Sequence, residues 1–410
     1  MIYPSHEEFL KCSQLGNLIP VYKELSSDLE TPVSAFLMLS EKSDYSCLLE
    51  SVEGQEKIAR YSFLASDPAM IIKICGRRFQ VLNKDAKGKF KISNDSLPDD
   101  PLAEIKNIMS RYKAFGLKGL PRFCGGLLGY MGYDMVRFFE DIPRKNRDKK
   151  GIADSIFFLA DTLSIFDHLS HQLKIVSCVF LKDKKPETAN RAYQDALRKI
   201  DRVVSKLKKQ IDAKAIPAAR GKKPKINFST SNKDFLSMVK KAKNYIKIGD
   251  IIQVVLSQVI WASARNNPFD AYRKLRSLNP SAYMFFFKFK KMYLVGSSPE
   301  MLVRCENRIV TTRPIAGTRP RGASEEDDTR LERELLSDEK ERAEHIMLVD
   351  LGRNDLGRVC RYGSLKVNEF MRIERYSHVM HIVSEIQGKL KEDKDIYDVL
   401  RAAFPAGTVT

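Results

Sequence analysis

Hydrophobic and polar positions along the chain fall into two regimes separated by a charged stretch. From about residue 18 to 180, short apolar or alternating runs recur between turn residues: SAFLML, SCLLES, AMIIKI, RFQVLN, SIFFLA and QLKIVSCVF. Runs of this length and spacing predict strands. Helical spacing is clearest in PLAEIKNIMSRYKAF, residues 101–115. The glycine-rich stretch FCGGLLGYMGYD, residues 123–134, predicts close strand approach or a bulge. It lacks the G-x-x-x-x-G-K-[ST] spacing of a phosphate loop.

The second regime opens with a predicted helix, DFLSMVKKAKNYIKIGD. Strand-like runs follow: IIQVVLSQVIW, SAYMFFFKF, KMYLVG and RIVTTRPI. An acidic helix is expected around DEKERAEHIMLVDLG, and ERYSHVMHIVSEIQG reads as mixed. No internal repeat relates the halves. Strands and helices cluster instead of alternating, which predicts α+β layering over a doubly wound parallel sheet. At 410 residues the chain exceeds one ordinary domain. The division expected is 1–180, a basic linker region at 181–230, and 231–410.

Charge changes the picture only locally. The net charge is +18, yet between Lys182 and Lys225 fifteen Lys/Arg stand against five Asp/Glu. More than half of the imbalance thus sits in a tenth of the chain, and Tyr193 is its only aromatic residue. Nucleic-acid binding calls for a basic stripe interleaved with stacking aromatics. This stretch reads instead as an exposed helix end and a linker, so no nucleic-acid partner is expected. Hydrophobic residues make up 43% of the chain, enough for a substantial core, and no apolar run approaches the roughly 20 residues of a membrane span. No secretory signal is visible at the N-terminus. Seven cysteines, without a C-x-x-C pair, argue against a disulfide framework or zinc knuckle and for a reducing, cytoplasmic setting.

Three segments carry candidate chemistry. Glu341, Glu344 and His345 stand at i, i+3 and i+4 on the acidic helix, with Leu348 at i+7. Ala343, Ile346 and Met347 are expected to pack inward from another face. A Glu-x-x-Glu pair supplies hard oxygen ligands suited to Mg²⁺. His378 and His381 form an H-x-x-H whose spacing could place both on one helix face; the apolar neighbours of His381 would tune it as an acid or base. In TTRPIAGTRPRG, residues 311–322, Gly317 and Thr318 offer donors to an anion and the arginines offer bidentate carboxylate binding. Neither a G-x-S-x-G elbow nor a dinucleotide fingerprint occurs.

Taken in order, TRPIAGTRPRG, DEKERAEHIMLVDLGRNDLG, ERYSHVMHIVSEIQG and FPAGTVT resemble the successive motifs of the chorismate-utilising enzymes. LLES, RYSFLASDP and FCGGLLGYMGYD extend the resemblance into the first half, and within the family it is to the anthranilate synthase component I group. The resemblance implies two interleaved β-sheet domains flanked by helices, and conversion of chorismate and ammonia to anthranilate and pyruvate. It implies Mg²⁺ as cofactor, with Glu341 a direct ligand and Glu344 a second or water-mediated one. His381 is implied in acid/base work, Glu300 of SSPEM as the acid toward the 4-hydroxyl, and Gly317 and Thr318 as lining the substrate pocket. Related enzymes that add water carry lysine where this chain has Gln253. Aminodeoxychorismate synthase relatives often carry a nucleophilic lysine where it has Ala316. Both residues favour anthranilate, with aminodeoxychorismate synthase component I the alternative.

LLES and NPSAYMFF further resemble a tryptophan feedback site made of Glu50, Ser51, Ser281, Tyr283 and Met284, with Ala282 in place of the family's usual proline. No glutaminase motif is present, so a separate glutamine amidotransferase subunit, component II, is the implied ammonia source. The family continues past FPAGTVT into further strands, a helix and a second Glu-x-x-Glu. The expectation from sequence is therefore a C-terminally truncated, catalytically incomplete chain.

Overall fold

The computed structural model describes residues 1–52, 60–85, 87–143, 151–208, 224–264 and 266–407. The Pro/Gly-punctuated core of the basic stretch, 209–223, and the last three residues of FPAGTVT lie outside them. All strand pairings between named strands are antiparallel, as an α+β layering requires.

An eight-stranded sheet forms the centre. Its long strands Leu18–Ser26 and Gln172–Phe180 pair over nine residues. At the other side Tyr45–Glu50 pairs with Tyr283–Phe289, so the second half of the sequence completes the sheet of the first. The hairpin Tyr283–Phe289/Met292–Ser298 ends that sheet and delivers the chain to Glu300. Phe286 is 2% exposed and packs edge-on against Phe36, Phe269 and Tyr272.

A five-stranded sheet holds Met70–Cys75, Arg78–Lys84, Phe90–Ser96, Gly126–Met131 and Ser155–Ala160. Close approach explains its glycines: a Cβ on Gly129 would stand 2.0 Å from the Ile156 carbonyl oxygen. The third large sheet contains Arg304–Glu306, Ile309–Thr312, Ile315–Pro320, Lys366–Arg375 and Val379–Lys389. One face of Val379–Lys389 (Met380, Ile382, Ser384, Ile386) is buried, and beneath it lies the helix Glu339–Val359, which adds Val349, Leu356 and Val359 to the core.

Several elements differ from the pattern reading. SAFLML lies in a helix, Pro32–Ser40, because Thr31 and Ser34 form a capping box and Pro32 occupies the first turn. The first part of the basic stretch is the 22-residue helix Pro186–Leu207, which buries Ala189, Tyr193, Ala196 and Ile200 in the core and turns its charges outward. Of IIQVVLSQVIW only Ile260–Ala262 is strand, paired with Ile226–Phe228; Ile252 is 83% exposed. ERYSHVMHIVSEIQG spans two strands and the turn between them, so the helical pairing of His378 with His381 does not form: His378 lies exposed in the turn.

Candidate functional site

The centre of the site is a row across three strands. In the register of the third sheet, His381 stands opposite Thr318 on one side and Glu374 on the other. A bulge between Ala316 and Thr318 places Gly317 at φ +68°, the left-handed region that glycine enters without strain. The bulge turns the Gly317 carbonyl toward His381, whose Nδ1 lies 2.9 Å from that oxygen and 3.1 Å from Thr318 Oγ1. A carbonyl oxygen only accepts, so Nδ1 carries the hydrogen, which in the neutral ring puts the lone pair on Nε2. The Tyr376 ring packs edge-on to the imidazole at 5.5 Å. Tyr376 donates to Glu374 at 2.9 Å, and Arg313 pairs with the same carboxylate. Burial, then the Glu374 charge, pushes the Tyr376 phenol up, so it stays a donor.

Glu341 approaches the same bulge from the helix. A Cβ on Gly317 would lie 3.3 Å from Glu341 Oε2, and 3.1 and 3.2 Å from Leu335 and Ile382. Asp338 caps the helix, accepting from the Glu341 N–H at 3.1 Å, and Arg319 binds Asp338 at 2.9 Å and Glu334 at 2.8 Å. The strand bearing Thr318 is thereby tied to the helix turn bearing Glu341. Glu341 and Glu344 are both partly buried, and neither pairs with a cation among the described residues. Two unneutralised carboxylates of this kind fit a hard divalent ion such as Mg²⁺, which protein sites often hold through one or two carboxylates and water. No cluster of three or more His, Cys, Asp or Glu suited to a metal occurs among the described residues.

The inward face of this helix is not the expected one. Ala343 is exposed and Ile346 is 48% exposed, whereas His345 is fully buried together with Leu348 and Val349. His345 is accommodated because Ser384 reaches its Nε2 at 2.7 Å while accepting from the Met371 N–H. Burial depresses its pKa to about 4. The unfolded imidazole titrates near 6.5 and binds protons first, so its neutral form stabilises the fold above that pH. That contribution is lost as pH falls from about 6.5 to about 4. His345→Gln should flatten the pH dependence of the unfolding midpoint over this window; an unchanged slope would assign it to other groups.

Glu300 lies on the loop after Met292–Ser298, where Ser298 Oγ accepts from its N–H at 3.3 Å. Its carboxyl accepts from the Ile315 backbone, yet burial dominates and raises its pKa. It lines a cavity of about 210 Å³ with Thr312, Pro314, Leu348 and Asp355. Burial likewise lifts Asp355 to about 6.

The five residues of the second expected site are brought together where the two halves share a sheet. Glu50 pairs with Met284 in the register, and the Val52 N–H donates to the Ser281 carbonyl at 3.1 Å. Glu50 is 4% exposed; its Oε2 accepts from Tyr272 Oη at 2.5 Å and Arg276 Nε at 3.1 Å. Ser51 and Ser281 hydroxyls are buried without a hydrogen-bond partner among the described residues. Nearby, His168 meets Ser62 at 2.8 Å, and its pKa is lowered by burial against the opposing Glu50 charge.

Sequence reading missed Glu374, Tyr376, Tyr272 and Arg276, whereas Arg313 is among the arginines it singled out for carboxylate binding. The i, i+4 placement of Tyr272 and Arg276 on Pro268–Leu278 was the available signal for that pair. Glu374 and Tyr376 are shown only by strand register.

Comparison with known proteins accounts for this arrangement. The family pattern described as chorismate binding enzyme matches residues 62–410. Anthranilate synthase component 1 of Aquifex aeolicus is 46% identical over 409 residues, covering 99% of this chain and 80% of that protein. The Acetivibrio thermocellus protein of the same name is 42% identical, covering 100% and 82%. The crystal structure of anthranilate synthase component I from Streptococcus pneumoniae superposes with a TM-score of 0.72 at 34% identity, over 87% of this chain and 75% of that one. Escherichia coli menaquinone-specific isochorismate synthase, 14% identical with a TM-score of 0.64, shares the fold. With identities above 40% running through both halves, and with the sheet that joins them, the chain belongs to the chorismate binding enzyme family, among its anthranilate synthase component 1 members.

Proposed function

We propose that this protein is the chorismate-binding component of an anthranilate synthase, taking ammonia from a glutamine amidotransferase partner. The reaction is chorismate plus ammonia giving anthranilate, pyruvate and water. The observation that carries the reading is His381, opposite Thr318 in the register and held through Nδ1 on the Gly317 carbonyl, at the bulge that the Glu341 carboxylate also approaches.

Chorismate is a dicarboxylate. Thr318 and backbone donors at the bulge would orient it, and Glu341 and Glu344 would hold Mg²⁺, which supplies charge neutralisation for a carboxylate and polarises the departing group. Glu300, whose carboxyl burial shifts upward, is read as the acid toward the leaving 4-hydroxyl. His381 Nε2 takes the proton released as aromaticity is gained. Gln253 and Ala316 supply neither a base for water nor a nucleophile toward the ring, which supports amination at C2. The Glu50, Ser51, Ser281, Tyr283 and Met284 cluster is read as the tryptophan site: Glu50 with the two unpartnered serine hydroxyls suits an amino group and a carboxylate. The setting is cytoplasmic; no helix among the described residues is long and apolar enough to cross a membrane.

The test is anthranilate fluorescence with chorismate, Mg²⁺ and ammonium at alkaline pH. Anthranilate formed only when chorismate, ammonium and Mg²⁺ are all present supports the whole reading. Accumulation of 4-amino-4-deoxychorismate or isochorismate would overturn the product assignment. Tryptophan should raise the unfolding midpoint of the chain, and Glu50→Gln should reduce that shift; no shift at saturating tryptophan removes the regulatory site.

A further inference from the structure

Cys124 and Cys178 are 54 positions apart, and the fold brings them into contact. Cys178 sits on the long strand Gln172–Phe180 of the eight-stranded sheet; Cys124 lies two residues before Gly126–Met131 of the five-stranded sheet. Cys178 Sγ lies 3.1 Å from the Cys124 carbonyl oxygen. Gly125 makes the approach possible: a Cβ there would stand 2.5 Å from Cys178 Sγ. Both cysteines are partly exposed, so a small oxidant can reach them.

We propose that Cys124 and Cys178 form a modification site, a dithiol that low-molecular-weight disulfides convert to an intramolecular disulfide joining the two sheets. The Cys124 thiolate attacks one sulfur of the small disulfide, forming a mixed disulfide and releasing one thiolate. Cys178, deprotonated, then attacks the Cys124 sulfur and releases the second. Two electrons and two protons pass from the protein to the small disulfide, which leaves as two thiols.

The two thiols are unequal in the way this order needs. The neighbouring Cys178 thiol shifts the Cys124 thiol downward, and Cys124 together with burial shifts Cys178 upward. A low-pKa attacking thiol beside a resolving partner is the arrangement of redox-sensitive cysteines. By contrast burial lifts Cys47 to about 12 and Cys360 to about 11, which suppresses their thiolates. The segment is placed to transmit the change, because neighbouring Arg122 pairs with Glu306 of the second half at 2.6 Å.

The test uses the full chain, oxidised glutathione as probe, alkylation and mass mapping after digestion. Alkylatable thiols should fall from seven to five, with a peptide linking Cys124 to Cys178, reversed by dithiothreitol. Cys178→Ser should stop at a glutathione adduct on Cys124, and Cys124→Ser should give neither product. Mapping of the unsubstituted chain decides the matter even if a variant folds poorly. A persistent glutathione adduct at Cys124, a link between other cysteines only, or seven thiols still alkylatable would each overturn the proposal.

Discussion

His381→Gln is expected to lower kcat for ammonia-dependent anthranilate formation by about 10²–10⁴-fold, the usual contribution of a positioned acid–base group. Glutamine can keep a donor on the Gly317 carbonyl, but its side chain offers no titrating nitrogen. KM for chorismate should change little, since Thr318 and the bulge remain, and so should the unfolding midpoint, because the ring is only partly buried. The measurement is a steady-state comparison of the variant with the unsubstituted chain, with thermal unfolding alongside. An equal fall in the unfolding midpoint would make the loss structural; an unchanged kcat would remove His381 from the chemistry.

The second large effect is expected at Glu341. Glu341→Gln keeps the helix cap, because Asp338 accepts from the residue 341 backbone N–H and not from its side chain. It removes one of two partly buried carboxylates. Replacing groups that merely support a metal ligand costs about 10–100-fold in metal affinity, and a direct ligand should cost at least that. The Mg²⁺ concentration for half-maximal activity should rise accordingly, and saturating Mg²⁺ should restore part of the rate. Glu344→Gln should do the same more weakly if its contact runs through water. Identical Mg²⁺ dependence in both variants and the unsubstituted chain would exclude this helix as the metal site.

Substitution at Gly317 separates local geometry from charge. Alanine there meets both a positive φ and neighbours at 3.1–3.3 Å, one of them the Glu341 carboxylate. The cost falls on the bulge that sets both His381 and Glu341, so a single methyl group tests whether the two act as one site.

Much of this was written in the chain. Short apolar runs between turn residues announced Tyr45–Glu50, Met70–Cys75, Arg78–Lys84, Ser155–Ala160 and Gln172–Phe180, because strands buried in a sheet read as such runs. The i, i+3 spacing of Glu341 and Glu344 fixed their common helix face, since helix geometry is local. The order of several long motifs carried the family. Where the linear pattern misled, a local or distant partner had the deciding influence. A capping box made a helix of SAFLML, and the Ser384 hydroxyl gave His345 a place inside the core that its polarity alone would deny.

What only the tertiary structure decided is which distant residues share a surface. Register across three strands sets Glu374 and Thr318 on either side of His381. Sheet closure by Tyr283–Phe289 brings Glu50 to Met284, and sheet contact brings Cys124 to Cys178. The reason is physical: periodicity reports each residue's own face, whereas register and sheet order depend on pairing energies between segments far apart in sequence.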